Sequence, residues 1–158
     1  MYDVKLITSK TDVDCGPASL AMLLGYYGTD IPLDDLIDEC HARIGGCSAK
    51  DLMQVGRAHG LDMTAWKMDA DELIRQDRPG IVWWTYDHWL VMCGMNDAGD
   101  VVIANPSRGR YAIDQESFSK LYTGVCIFNG EPETLPESEI ATAADYEAAL
   151  EQLGVNLS

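Results

Sequence analysis

An α+β domain, with a helical N-terminal lobe packed on an antiparallel sheet, is what this 158-residue sequence predicts. Three observations carry that expectation. Apolar residues recur at helical spacing from Gly16 to Gly60. The pattern then changes to short runs rich in β-branched and aromatic residues. Turn signals join those runs closely enough to make antiparallel neighbours of them. With 47% hydrophobic and 23% charged residues, the chain has ordinary globular composition and is long enough for a full core.

In "GPASLAMLLGYYG", Leu20, Met22, Leu23, Leu24 and Tyr27 give a broad apolar helical face, and Gly28 supplies the stop. A second short helix is expected from Leu33 to about Arg43, ended by Gly45 and Gly46. Ser48 reads as the N-cap of a third, "AKDLMQVGRAHG", with Leu52, Val55 and Ala58 on one face and Gly60 at its exit. The strand candidates are "DMTAWKM", "GIVWWTY", "HWLVMCGM", "DVVIANP", "RYAI" and "GVCIF". "NDAGD" and "NPSRG" read as turns, and short helices are expected at Ala70–Arg75 and Gln115–Leu121. Pro132 and Pro136 suit a linker, and "EIATAADYEAALEQLG" reads as one Ala/Glu-rich helix. The expected division is therefore a domain over residues 1–130 and an acidic linker with a C-terminal helix over 131–158.

The charge narrows the partners. Twenty-six acidic against 11 basic residues leave a formal net charge of −15, which repels phosphate backbones and anionic lipid and argues against nucleic-acid binding. The last residues, from Gly130 on, hold seven Asp or Glu and no Lys or Arg, marking an appendage open to a partner or to self-association. No apolar run approaches a membrane span, and the N-terminus lacks a basic region followed by an apolar stretch, so membrane insertion is not expected and the expected location is the cytoplasm. Five cysteines in such a chain read as reduced thiols rather than a disulfide framework.

One thiol stands out. Cys15, framed by Asp14, Gly16 and Pro17, precedes an apolar helix, where unsatisfied N–H groups and the helix dipole favour thiolate. Of the three histidines, His41 and His59 fall in helices and read as surface or packing residues, whereas His88 opens a strand and can face a cleft as a general base. Asn105 ends the strand that the "NDAGD" hairpin lays beside His88, and an amide there can hold the imidazole ring in one tautomer. Cys40, His41 and Cys47 lie within "CHARIGGC", but the fourth ligand and the usual zinc spacing are missing, so neither metal nor cofactor is expected.

The stretches "DCGPASLAMLLGYYG", "GGCSAKDLMQVGRAHGL", "RPGIVWW" and "HWLVMCGMNDAGDVVIANPSRG" together resemble the bacteriocin-processing, double-glycine-leader family of papain-like cysteine peptidases over roughly residues 10–128. The resemblance implies a papain-like fold and a peptide or protein substrate cut after small residues such as Gly-Gly. It implies Cys15 as nucleophile and His88 as base, with Asn105 where the family usually has Asp. It also implies an oxyanion hole built from the Cys15 backbone N–H and a Gln side chain six residues earlier; Ser9 occupies that position here. Losing one such donor typically costs about a hundred- to a thousandfold in rate. The alternative reading is accordingly a weak or inactive peptidase-like domain that binds peptide without cutting it.

Overall fold

The computed structural model describes residues 1–11, 13–40, 47–85 and 88–131, together with the backbone of 139–140. Three helices come first: α1 (Cys15–Tyr26), α2 (Leu33–Glu39) and α3 (Ala49–Ala58). Strand β1 (Met63–Lys67) and helix α4 (Ala70–Arg75) follow, then β2 (Gly80–Trp84), β3 (His88–Met95), β4 (Val101–Asn105) and β5 (Gly109–Ile113). Helix α5 (Gln115–Leu121), β6 (Tyr122–Asn129) and the two-residue β7 (Glu139–Ile140) complete the described chain. The strands form one antiparallel sheet in the order β5-β4-β3-β2-β6-β1-β7.

Capping explains several of these limits. Ser48 accepts from the Asp51 N–H at the start of α3, and Asp69 and Asp114 do the same for α4 and α5 through the N–H groups of Glu72 and Ser117. In the "NDAGD" turn the Asn96 side chain accepts from Ala98 and Asp100, closing the β3–β4 hairpin. A register shift between Met92 and Met95 coincides with Gly94 at φ +91°, where a Cβ would stand 3.0 Å from the Tyr2 ring. Glycine is what that bulge requires.

The sheet has a core on each face. Helices α1 and α3 cover one face, where Leu20, Leu23 and Leu52 meet Trp83, Trp89 and Val91. Leu73 of α4 and Phe118 of α5 lie on the other with Val82, Leu90, Met92 and Ile103. Double coverage accounts for the uninterrupted apolar runs in β2 and β4, which are buried at every position. The single helical lobe expected from sequence is thus joined by a second, smaller layer. Helix α1 is buried on all sides from Cys15 to Leu24 rather than along one face.

Two further differences concern the chain ends. Residues 2–9, which show no periodicity, strap the strand ends: the Tyr2 N–H donates to the Cys93 carbonyl, Arg110 donates to the Val4 carbonyl, and the Ser9 N–H donates to the Pro106 carbonyl. Glu139 and Ile140, expected to open the C-terminal helix, instead pair with Lys67 and Trp66 of β1. The rest of that expected helix, and the His41–Gly46 end of the second, lie outside the described residues.

Candidate active site

Cys15 is the first residue of α1, and its setting follows from its neighbours. Gly16 lets the helix end press against the sheet: a Cβ there would lie 3.1 Å from Cys47 Cβ, 3.2 Å from Trp89 Cδ1 and 3.3 Å from Leu52 Cδ2. Pro17, which has no N–H to lose, suits the first turn. Asp14 occupies the N-cap position without capping. Its buried carboxylate turns back to accept from the Lys10 and Thr11 N–H groups, each at 2.8 Å, and from the Thr11 hydroxyl at 2.9 Å. Burial pushes this carboxyl up, yet those three donors outweigh it and hold its pKa below the ordinary value. With Asp14 so engaged, no side-chain cap competes for the first N–H groups of α1.

The Cys15 thiol is 8% exposed. Burial pushes its pKa above the ordinary 9.0, and the Asp14 charge adds to the rise, while the backbone N–H groups of Trp89 and Gly16 oppose it. The helix-terminal stabilisation expected from sequence is present, but desolvation exceeds it. The Trp89 contact also brings the sulfur to the start of β3, one residue from His88.

His88 and Asn105 meet at the sheet end. The imidazole Nε2 lies 2.7 Å from Asn105 Oδ1, which also accepts from the Ser107 N–H at 2.9 Å, while Asn105 Nδ2 donates to the Tyr111 hydroxyl at 3.2 Å. A backbone N–H can only donate, so the Ser107 contact identifies the amide oxygen and hence makes Nε2 the protonated ring nitrogen. Nδ1 is left as an acceptor. Burial lowers the His88 pKa below 6.5; the Asn105 bond opposes this and the Arg108 charge adds to it. No hydrogen bond joins the ring to the Cys15 sulfur among the described residues, and burial favours the neutral form of each group. Together these groups can carry proton transfer from sulfur to Nδ1 followed by nucleophilic attack.

The remaining candidates have other partners. Ser9 donates its hydroxyl to the Pro106 carbonyl at 3.3 Å, so its one proton is already engaged. His59 caps the C-terminal end of α3 with its ring 2.7 Å from Glu39. Cys40 and Cys47 are buried in the core, with Cys47 Sγ 3.5 Å from the Cys40 carbonyl, and His41 lies outside the described residues. Tyr111 was not singled out by the sequence; only the β4–β5 register, which pairs Ile103 with Tyr111 and Asn105 with Gly109, sets it diagonally across from Asn105. A cavity of about 630 Å³ opens beside His88 and Asn105, with Trp84, Tyr111 and Leu121 as apolar wall and Ser107 and Arg108 as polar rim.

A cysteine at a helix start, a His–Asn pair at one end of an antiparallel sheet and a helical lobe over that sheet define a papain-like cysteine peptidase fold. Residues 3–134 match the model of the Peptidase C39 family, and the chain belongs to that family. It is similar, at 28% identity and a TM-score of 0.77, to the crystal structure of a double glycine motif protease from an AMS/PCAT transporter in complex with the leader peptide; the match covers 80% of this chain and 91% of that one. It is 29% identical over 130 residues to the lactococcin-G-processing and transport ATP-binding protein LagD of Lactococcus lactis subsp. lactis. It is 28% identical over 124 residues to the colicin V secretion/processing ATP-binding protein CvaB of Escherichia coli. Each of these two alignments covers 78% of this chain and 18% of the relative, so the chain spans about a fifth of the length of these transport proteins. No described helix is long and apolar enough to cross a membrane.

Proposed function

We propose that this cysteine peptidase domain hydrolyses peptides through Cys15, His88 and Asn105. The observation that carries the reading is the Asn105 network: Ser107 and Tyr111 orient the amide, the amide orients the imidazole, and the basic Nδ1 is left free at the end of the sheet that also receives the Cys15 helix. In the proposed reaction His88 Nδ1 takes the thiol proton as the sulfur bonds to the scissile carbonyl carbon. The oxyanion is met by the Cys15 N–H, one of the uncapped groups at the start of α1. His88 then returns the proton to the departing amine as the C–N bond breaks, and water, activated by the same ring, cleaves the thioester. Burial, which raises the thiol pKa and lowers that of the imidazole, supports a proton transfer made within the reaction rather than before it.

The favoured substrate is a peptide with small residues such as Gly-Gly before the cut. The leader peptide bound to the related double glycine motif protease and the processing roles in the names of LagD and CvaB support this reading. Cys15→Ala removes one sulfur from the helix start, so it is expected to abolish turnover of a Gly-Gly peptide with little change in melting temperature. Retained turnover in that variant contradicts the mechanism. The Ser9 hydroxyl, held by Pro106, favours a second reading in which the cleft binds peptide and cuts slowly or not at all. A wild-type rate no faster than Cys15→Ala, with binding retained, supports that second reading.

A further inference from the structure

Resting on the proposed peptidase reading, we infer that the cavity beside His88 is the subsite for the residues after the scissile bond and that Arg108 selects a carboxylate there. A general acid must reach the departing amine, so the departing chain leaves on the imidazole side of the nucleophile. The cavity is lined by His88 and Asn105 and not by Cys15, which places it on that side. Its volume of about 630 Å³ suits a few peptide residues.

Its chemistry has two parts. Trp84, Tyr111 and Leu121 offer an apolar wall for one side chain. At the rim, the Arg108 guanidinium has no hydrogen bond or ion pair among the described residues, and no Asp or Glu among them lines the cavity. A cation with no partner among the described residues, on a chain of net charge −15, is a local exception, and its short-range pairing survives where the field of the whole molecule repels a polyanion. The site therefore fits a single carboxylate next to an apolar residue rather than an acidic tract. Thr85 also lines the cavity, and its buried hydroxyl has no hydrogen-bond partner among the described residues.

The test uses the full chain and three peptides that share Gly-Gly before the cut and an apolar residue after it, then carry Glu, Gln or Lys. Wild type is expected to favour Glu over Gln by up to about fivefold in kcat/KM, with Lys poorest and the spread narrowing as salt is added. Arg108→Gln should level the three, and Arg108→Glu should put Lys first. Equal cleavage of all three by wild type, or an equal loss on all three in Arg108→Glu, overturns the inference. Binding of the same peptides to Cys15→Ala, followed by tryptophan fluorescence, separates the two claims. An acidic preference in binding without wild-type turnover supports the subsite and sinks the peptidase reading; no preference in either assay sinks the subsite.

Discussion

At position 105 an amide rather than a carboxylate faces the imidazole, and that choice sets the pH at which His88 can accept a proton. Burial already lowers the ring's pKa below 6.5, and a neutral partner recovers only part of the loss. Activity that needs a neutral His88 is lost as pH falls through that lowered value, so the acid limb of kcat/KM is expected below pH 6.5. Asn105→Asp places a full negative charge where Oδ1 now lies 2.7 Å from Nε2, while the Tyr111 hydroxyl can turn to donate to the new carboxylate. The acid limb should then move upward by about a unit or more. An unchanged profile in that variant would show that His88 is not the group titrating. The His88–Asn105 pairing was legible because "NDAGD" announces the hairpin that joins their strands. Tyr111 and the engagement of Ser9 with Pro106 were not, since both depend on register and on a segment without periodicity.

Among the elements, α1 carries the thiol and its seating depends on Gly16. Gly16→Ala would push a methyl against Cys47 Cβ and Trp89 at 3.1 and 3.2 Å, and neither neighbour is the free end of a flexible chain. The expected cost is about 1–3 kcal/mol in denaturant unfolding, with slower alkylation of Cys15 as the helix end shifts away from the Trp89 N–H. A stability equal to wild type would mean that α1 is packed less tightly than described. The short helices expected at about Ala70–Arg75 and Gln115–Leu121 have those bounds in the structure, where each begins after an Asp that caps it. Strand positions were equally legible from runs such as "HWLVMCGM" and "VVIAN". What the pattern could not show is that α1 is buried all round: its apolar positions suggest one face, and only the strap of residues 2–9 and the neighbouring helices reveal the others.

For the whole molecule, the strand order separates the proposed site from Glu139 and Ile140. His88 and Asn105 stand on β3 and β4, whereas Glu139 and Ile140 add to β1 at the far edge of the sheet. We propose that residues 131–158 are an appendage to the peptidase body and serve a partner or a second copy. A chain ending at Gly130 is then expected to keep the wild-type alkylation rate at Cys15 while losing the edge pairing at Trp66 and Lys67. A folded truncation with a changed thiol would assign the appendage a part in the site. Rapid quenching of a Gly-Gly ester substrate, followed by mass spectrometry of the digested chain, tests Cys15 as the nucleophile. An acyl mass is expected on the peptide bearing Cys15, absent in His88→Ala quenched at the same time. An acyl mass on Cys40, Cys47, Cys93 or Cys126 instead, or turnover with Cys15 unmodified, would contradict it.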